Sequence, residues 1–384
     1  MENNLKEEKL ENFDENIIYQ PLNHTSLNDL VSSFNLAFSD YQVPVSMTSF
    51  SLKKMMQIRS VDLKFSTGAF AKNIKNKTAQ NDKIPVSFIL CGVRKNFQII
   101  KENENENEKT FKTFKKIAYD SGTGTIPDYR RLGIGKNLLK FTIEKLKNYG
   151  FDAFLLEVLE NNEKAISLYE SQGFEVTRRF LCYNHKKDEV LDSLKDFDIS
   201  RFNKARHYNS EKDNFRRHED HPGCLSFDIQ LKGLSSKKVY KNLDFDDLAY
   251  FIPSWQNSYR SILNNFENIY INSLFYKGKI VAYGTINQKN GDVQQIGISK
   301  NFRNDHRIKA MDDNSGEKDL IKDKEISQLD LLKIVLFDLA RNCESKNLTL
   351  LNIEEGVVLN ELIKNCGFKN FINQFEMVKI LKDF

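Results

Sequence analysis

Residues 123–135 read Thr-Gly-Thr-Ile-Pro-Asp-Tyr-Arg-Arg-Leu-Gly-Ile-Gly, and this stretch decides the fold. Its polar and β-branched start predicts a strand that ends at Pro127, because proline cannot continue a central strand. Residues 136–143 then begin an amphipathic helix. A helix N-terminus carries free N–H groups and a positive dipole, and glycine lets an anion approach them closely. The stretch therefore predicts an anion site where a strand turns into a helix.

The spacing of Gly133 and Gly135 excludes the two common nucleotide-binding loops. No Gly-Lys-Ser/Thr closes the turn, and no third glycine completes a dinucleotide fingerprint. Arg130, Arg131 and Lys136 add positive charge at the same place. Taken alone, the turn supports an ordinary strand-to-helix connection of an α/β protein about as well as a phosphate site.

A second pattern lies downstream of the turn. Residues 154–159 form an apolar run of strand length, and residues 164–172 have helical periodicity and are followed by a C-capping glycine. The spacing Asn-x-x-Ala-x-x-Leu-Tyr-x-x-x-Gly-Phe is met by Asn162, Ala165, Leu168, Tyr169, Gly173 and Phe174. Two motifs in a set order are much more specific than either motif alone.

Together, the Arg-x-x-Gly-x-Gly turn and the second pattern resemble the signatures of the GNAT superfamily of acyl-CoA-dependent N-acyltransferases, over roughly residues 115–185. The resemblance implies an α/β (mixed α+β) fold class. It predicts two GNAT-like domains, each a mostly antiparallel sheet with a splayed parallel pair and flanking helices. It also implies acetyl-CoA as a co-substrate and no metal.

The same resemblance implies which residues contact the coenzyme. The backbone around Thr125 and Ile126 is expected to pair with the pantetheine arm, and the glycine turn is expected to bind the pyrophosphate. The implied coenzyme-binding residues are Thr125, Ile126, Arg130, Arg131, Leu132, Gly133, Ile134, Gly135, Lys136, Asn162 and Tyr169.

Acyl transfer to an amine also needs groups that move protons. The resemblance implies that Tyr169 is the general acid for the departing thiolate, and the alternative is a core tyrosine on an amphipathic helix. Glu157 or Asp120 could act as the general base, directly or through water. A charged surface ladder explains both carboxylates equally well, and a water chain without a dedicated base is a further alternative.

The acceptor side is predicted from an earlier helix-loop-helix. Residues 26–38 and 51–60 have helical character, with a loop between them. In the GNAT fold such a segment covers the acceptor cleft, so Asp40, Tyr41 and Arg59 are candidates for lining it. Capping and packing are the alternative roles of these three residues.

Composition limits the function classes. The formal net charge is only +4 with 29% charged residues, and the basic residues are interleaved with acids, which argues against nucleic-acid binding. No run of 18 apolar residues predicts a membrane helix, and the polar, acidic start is unlike a signal peptide. The five scattered cysteines fit small buried residues in a reducing compartment. We therefore expect a cytoplasmic monomer or homodimer without nucleic-acid or membrane partners.

The predicted organisation has four parts. Residues 1–15 are expected to be disordered, residues 16–187 to form the active GNAT domain, residues 188–224 to form a charged linker, and residues 225–384 to form a second GNAT-like domain. The His-Glu-Asp-His sequence at 218–221 invites a metal-site interpretation, but a solvated linker is the favoured one.

The second half repeats the element order of the first. A Lys-Gly hairpin at residues 274–286 precedes another strand, a helix and a strand, and the last helix ends in Gly367-Phe368. The repeat lacks the glycines of the phosphate turn, where His306 and Lys309 stand instead, and Leu362 replaces the tyrosine. The second domain is therefore predicted to be degenerate for acyl-CoA.

These observations predict an acetyl-CoA-dependent N-acetyltransferase with one competent domain. It would move an acetyl group by direct transfer to a primary amine of a small molecule or peptide. The alternative is a non-catalytic acyl-CoA-binding or regulatory protein of the same fold. The sequence contains no recognisable code for the acceptor.

Overall fold

The computed structural model describes residues 16–40, 46–72, 84–102, 109–197, 229–233, 237–241, 243–302, 308–309, 325–357 and 359–382. Several predictions concern residues outside this part of the chain. They include the disorder of residues 1–15, the acceptor-side role of Tyr41, and the histidine cluster at 218–221.

The described chain alternates strands and helices. The strands are β1 (Ile17–Pro21), β2 (Thr67–Ala71), β3 (Ser87–Glu102), β4 (Lys109–Thr125), β5 (Ala153–Leu159), β6 (Glu175–Lys186), β7 (Ile229–Gly233), β8 (Ile269–Tyr276), β9 (Lys279–Asn287), β10 (Asp292–Ile298), β11 (Ile308–Lys309), β12 (Glu325–Ile326), β13 (Asn347–Glu354) and β14 (Lys369–Ile380). The helices are α1 (Leu27–Ala37), α2 (Ser49–Arg59), α3 (Ile134–Asn148), α4 (Glu163–Ser171), α5 (Lys187–Ser193), α6 (Lys237–Lys241), α7 (Phe245–Leu248), α8 (Tyr259–Asn264), α9 (Gln328–Arg341) and α10 (Leu359–Asn365). In the described part of the chain, none of these helices has the length and apolar character needed to cross a membrane.

The chain forms two compact units. The first unit comprises Met1–Arg179, Ser258–Asn264 and Gln374–Phe384, and the second comprises Phe180–Asn257 and Asn265–Asn373. Each unit therefore contains chain from both of the domains predicted from the sequence.

The two units have the same strand order. In the first unit the order is β1-β2-β3-β4-β5-β14, with β4 and β5 parallel and all other neighbours antiparallel. In the second unit the order is β7-β8-β9-β10-β13-β6, with β10 and β13 as the parallel pair. The predicted fold class is confirmed: each unit is a mostly antiparallel sheet with one parallel pair.

The boundaries between the units differ from the predicted ones at both ends. The second part of β6, Phe180–Lys186, pairs with β13 of the second unit rather than closing the first domain. In turn, Gln374–Ile380 of β14 pairs with β5 of the first unit. The strand that follows each copy in sequence thus completes the sheet of the other copy, which no local sequence pattern could indicate.

The predicted linker also begins later than expected. Residues 187–193 form α5 and residues 195–197 a 3-10 helix. Val190 and Leu194 are buried in the core of the second unit. The apolar pattern that marks this helix spans only one turn and is surrounded by charged residues. For this reason the sequence did not predict the helix. Residues 198–224 of the predicted linker lie outside the described part of the chain.

Local turn chemistry confirms the internal repeat. The helix before Gly173 and the helix before Gly367 end in the same way, with glycine φ angles of 78° and 80°. In both, the glycine N–H donates to the carbonyl three residues back, and the following phenylalanine N–H donates to the carbonyl five residues back. This pair of bonds is the Schellman motif, which favours glycine because of the positive φ.

Helices cover both faces of the first sheet. From α3, Leu138, Leu139 and Ile143 pack on one face, in a cluster that includes Leu156 of β5. On the other face, α1 and α2 form a cluster with Phe88 of β3. The alternation of side chains along β3 and β5 therefore divides the first unit into an α3 side and an α1–α2 side.

Two neighbouring arginines on β6 make ion pairs of similar geometry but different burial. Arg178 donates from Nε and Nη2 to Glu376 of β14, at 2.8 Å each, and both side chains are almost fully buried. Arg179 donates to Glu160 at 3.0 and 2.9 Å, with each side chain about a third exposed. Removing one partner of a buried pair leaves an uncompensated charge, whereas an exposed pair contributes little.

We predict that Glu376→Ala lowers the free energy of unfolding by about 3–5 kcal/mol. Glu160→Ala is the matched control and should cost at most about 1 kcal/mol. Denaturant titration of the full chain measures both. Similar small losses in the two variants would contradict the placement of β14 in the first sheet.

Candidate active site

The parallel strands β4 and β5 separate at the centre of the first unit. They pair in register from Ile117–Ala153 to Asp120–Leu156. In the described residues of both strands, no pairing follows this point, although β4 continues to Thr125 and β5 to Leu159. The predicted splay therefore begins at Asp120, and it leaves backbone groups of β4 without a strand partner.

A β-bulge lies at the point of separation. Leu90 of β3 pairs with Gly122, but the next residue, Cys91, pairs with Asp120, so Ser121 is the extra residue. The Asp120 carboxylate accepts hydrogen bonds from the Gly122 N–H at 3.0 Å and from the Thr123 hydroxyl at 2.5 Å. Asp120 therefore stabilises the turn of the bulge.

Tyr169 meets Asp120 at the bulge. Its hydroxyl donates to Asp120 Oδ2 at 3.4 Å, and both residues are only 8% exposed. Burial raises the pKa of Asp120, while the bonds from Thr123 and Gly122 oppose this change. The structure thus brings together two of the three residues that the sequence proposed for proton transfer.

Glu157 lies on the other face of the sheet. Asp120 is in register with Leu156, so strand alternation directs the next side chain, Glu157, away from the Asp120–Tyr169 pair. Its antiparallel partner is Glu376, whose carboxylate is bonded to Arg178. Of the two carboxylates proposed as base, the structure places Asp120 beside Tyr169.

The glycine turn opens the helix α3 as predicted. Gly133 is the N-cap residue, with a φ of 77°, and a Cβ added there would meet nothing within 4 Å. Within the described residues, no side chain caps this helix, and its first turn contains no acid. No capping side chain and no acid of the first turn therefore compete with an anion for the first N–H groups of α3, and the space beside Gly133 is open.

The other residues of the turn divide between core and surface. Ile134 is buried and Leu132 packs against the same cluster, so both anchor the turn. Arg131 and Lys136 are exposed beside the first turn of α3. A Cβ on Gly135 would lie 3.5 Å from the Thr125 hydroxyl, an ordinary contact.

Arg130 is held by protein groups. Its guanidinium bonds to both carboxylate oxygens of Asp40, at 2.6 and 2.9 Å, and to the carbonyl of Ala37. Its Nε donates to the carbonyl of Thr125 at 2.9 Å. The ion pair holds the pKa of Asp40 below its usual range. Arg130 thus connects the end of α1 to the glycine turn, a role that the charge pattern of the turn did not indicate.

The backbone that faces the splay can be read from the sheet register. The Ile126 N–H donates to the Val86 carbonyl, so it points toward β3. Alternation along an antiparallel pair then directs the backbone of Thr123 and Thr125 away from β3, toward the gap. Thr123, which the sequence interpretation omitted, is therefore as well placed as Thr125 to bond a ligand in the splay.

Asn162 stands at the start of α4. Its side-chain oxygen accepts from the Ala165 N–H at 3.3 Å, which makes it the N-cap of this helix. Capping accounts for asparagine at this position in physical terms, and the side chain is half-buried rather than enclosed.

The corresponding helix of the second unit, α9, starts differently. Ser327 accepts a bond from the Asp330 N–H, and the Asp330 carboxylate accepts one from the Ser327 N–H, which forms a capping box. Asp330 is the third residue of α9, the place that Lys136 has in α3. The second copy therefore supplies its own carboxylate where the first copy offers an open, positive helix start.

Within the described residues, little space is left in the splay of the second unit. Its cavity, lined by Tyr250, Phe251, Gln295 and Ile353 among others, holds about 10 Å³. A Cβ on Gly297 would lie 2.2 Å from the carbonyl oxygen of Leu248, so the chain before α8 lies directly on β10. Leu362, which replaces the tyrosine, is fully buried in the core. The turn around His306 lies outside the described residues, and Lys309 is in the short strand β11.

The described part of the chain contains no cluster of three or more side chains suited to hold a metal ion. Its four cysteines, Cys91, Cys182, Cys343 and Cys366, are buried and form no disulfide with one another.

Comparison with known proteins agrees with the geometry. Residues 78–174 match the model of the acetyltransferase (GNAT) family. The chain carries a GNAT domain. Across almost its whole length the chain also resembles a tandem GNAT protein from the clavulanic acid biosynthesis pathway, with a TM-score of 0.54, 10% identity, and coverage of 96% of this chain and 99% of that one. A GCN5-related N-acetyltransferase from Sphaerobacter thermophilus is similar at a TM-score of 0.53 and 12% identity, over 96% of each chain. At these identities the likeness concerns the fold alone.

Sequence relatives match shorter stretches of the chain. A 72-residue stretch is 48% identical to the ribosomal protein bS18-alanine N-acetyltransferase of Escherichia coli (strain K12), over 18% of this chain and 49% of that protein. A 63-residue stretch is 44% identical to N-alpha-acetyltransferase 30 of Dictyostelium discoideum, over 16% of this chain and 34% of that protein. The chain thus matches about half or less of the length of these relatives.

We predict that Lys136→Glu weakens the binding of acetyl-CoA roughly 10- to 100-fold, the value of one charge-assisted contact. The variant places at the start of α3 the kind of carboxylate that α9 already has. The fold should be retained, because an acid near a helix N-terminus is favourable. Isothermal titration calorimetry measures the affinity.

Lys140→Glu is the matched control for this prediction. It makes the same charge change on the exposed side of α3, one turn further from the glycine turn. Equal losses in the two variants would show a general charge effect and contradict an anion site at the helix start.

Proposed function

We propose that the chain is an acetyl-CoA-dependent N-acetyltransferase with a single competent site in its first unit. The observation that carries this proposal is the open, uncapped start of α3 beside the splay at which Asp120 and Tyr169 meet. The match of residues 78–174 to the GNAT family supports the same activity.

The coenzyme fits the residues that are present. The N–H groups after Gly133, with the charges of Arg131 and Lys136, would hold its phosphates, and the gap-facing backbone of Thr123 and Thr125 would hold its arm. Acetyl-CoA supplies a thioester whose acetyl group is transferred to an amine. The binding role of Arg130 is indirect, because its guanidinium already holds Asp40 and the Thr125 carbonyl.

Asp120 and Tyr169 together can transfer the proton that the amine loses to the departing sulfur. Asp120 takes a proton from the attacking amine, directly or through water, and burial favours this uptake because it raises the pKa of the carboxyl. Tyr169 donates its phenolic proton to the departing sulfur. The 3.4 Å contact between the two side chains lets Asp120 restore the proton of Tyr169, so that the cycle closes with one proton moved.

We further propose a peptide amine as the first acceptor class to test. The names of the two sequence relatives place their acceptors at an alanine of ribosomal protein bS18 and at an alpha-amine. The described cysteines are buried and form no disulfide with one another, which is compatible with a reducing compartment such as the cytoplasm.

We predict that Tyr169→Phe lowers the turnover of acetyl transfer by roughly 10²- to 10⁴-fold, because it removes only the donated proton. The affinity for acetyl-CoA should be unchanged. Release of free thiol with a panel of N-terminal peptides measures the turnover, and calorimetry measures the affinity.

Tyr183→Phe is a matched control for Tyr169→Phe. Tyr183 is also buried and donates its hydroxyl to a side chain, Asn360, but it lies in the second unit. Its loss should leave turnover unchanged. A wild-type chain that binds acetyl-CoA but releases no thiol with any amine would instead favour the non-catalytic alternative.

A further inference from the structure

A short helix from the second half of the sequence is part of the first unit. Helix α8, Tyr259–Asn264, lies within the segment Ser258–Asn264 that belongs to this unit. It packs against α2 on the α1–α2 side of the sheet. The helix is only six residues long, so it could not be stable without these contacts.

Asn264, the last residue of α8, caps the end of α2. Its side-chain amide donates to the carbonyls of Gln57 and Ile58, at 3.0 and 3.3 Å, and to the Ser60 hydroxyl at 3.2 Å. The final carbonyls of a helix lack intrahelical partners, so such a donor stabilises the last turn in one position. In return, the Gln57 side chain donates to the Asn264 carbonyl at 3.0 Å.

The start of α8 is held by a buried arginine. Arg94 of β3 is 6% exposed, and its guanidinium donates to the hydroxyls of Ser258 and Ser261. It also donates to the carbonyl of Ile58 at 3.4 Å. Burial lowers the pKa of Arg94 to about 9, so it remains charged at neutral pH. The α8 segment and the end of α2 are therefore fixed from two sides.

Arg59 directly follows Ile58, whose carbonyl Asn264 holds. Its Nη1 donates to the carbonyl of Ser121 at 2.7 Å. Ser121 is the bulge residue of β4, directly after Asp120. A continuous series of contacts thus runs from α8 through the end of α2 to the bulge on which the Asp120–Tyr169 pair is built.

We propose that Asn264 and Arg59 are positioning residues for the Asp120–Tyr169 pair, with Asn264 supplied by the second half of the sequence. Asn264 holds the last turn of α2, and this turn directs Arg59 onto the bulge carbonyl. The inference rests on the proposed function for its catalytic consequence, but its structural part can be tested without any acetyl transfer.

The consequence is electrostatic as well as geometric. Among the described residues, three titratable or charged side chains face Asp120 from the elements packed around it: Arg59 from α2, Tyr169 from α4 and Cys91 from β3. Arg59 is the cation among them, and its charge acts to lower the pKa of Asp120. If Arg59 moves away, Asp120 keeps its proton to a higher pH and is a base only above that pH.

The test is a carboxyl titration of the full chain. Aspartate labelled with ¹³C at Cγ gives carboxyl resonances by NMR, and the loss of one signal in Asp120→Asn assigns that residue. The titration of Asp120 should move to higher pH in Arg59→Gln and in Asn264→Ala, while Arg59→Lys keeps it near the wild-type position. Gln57→Ala is the control, because it removes a bond between α8 and α2 but leaves the Asn264 amide in place.

The kinetic arm measures acetyl transfer against pH with the same variants. We expect the acidic limb of the profile to move to higher pH in Arg59→Gln and Asn264→Ala, with a roughly tenfold loss of kcat and a nearly unchanged KM for acetyl-CoA. Asn264→Ser replaces Asn264→Ala if the latter does not fold, as judged by its melting temperature.

The outcomes separate the two claims. A shift with Arg59→Gln but none with Asn264→Ala would overturn the role of α8, and no shift in either would overturn the role of Arg59. A carboxyl titration that shifts as expected in a chain without transferase activity would support the positioning contacts and count against the proposed function.

Discussion

The end of the parallel pairing at Asp120 is the constraint on which the rest of the first unit depends. Buried backbone groups must find hydrogen-bond partners, and beyond this residue β4 has lost its neighbour on one side. Arginine side chains take over part of that role: Arg59 donates to the Ser121 carbonyl, and Arg130 donates to the Thr125 carbonyl. Asp120 stabilises the adjacent bulge by accepting from the Gly122 N–H. Each of these side chains also connects the splay to another part of the unit. The gap is therefore also the point at which α2, α4 and the loop after α1 meet.

The two copies show how one topology can be open or closed to an anion. Both have a splayed parallel pair whose two strands are connected by a long helix. In the first copy glycine at the N-cap and Lys136 in the first turn leave the helix start open and positive. In the second copy Ser327 and Asp330 satisfy the helix start, and the chain around Leu248 covers the strand. The difference lies in a few side chains rather than in the fold, and it explains why a single site per chain is expected.

Local sequence predicts the features of this structure that depend on residues close together in the chain. The turn at Gly133, the helix ending at Gly173 and the Lys277-Gly278 hairpin all follow from glycine chemistry, and all were predicted. The parts that could not be predicted depend on residues far apart in sequence. Nothing near Glu376 indicates that it pairs with Arg178, and nothing near Ser258 indicates that it contacts Arg94. The placement of β6 and β14 in the sheets of opposite copies depends on contacts between residues far apart in sequence. So does the contact between Asp120 and Tyr169, for which the sequence offered only separate candidates.

The central claim is that the chain holds one coenzyme site, at the start of α3. The number of acetyl-CoA molecules bound per full-length chain at saturation, from isothermal titration calorimetry with an independently determined protein concentration, tests it most directly. A single coenzyme site at the start of α3 gives a stoichiometry of one. Two equivalent sites per chain, or saturable binding that is absent altogether, would contradict it.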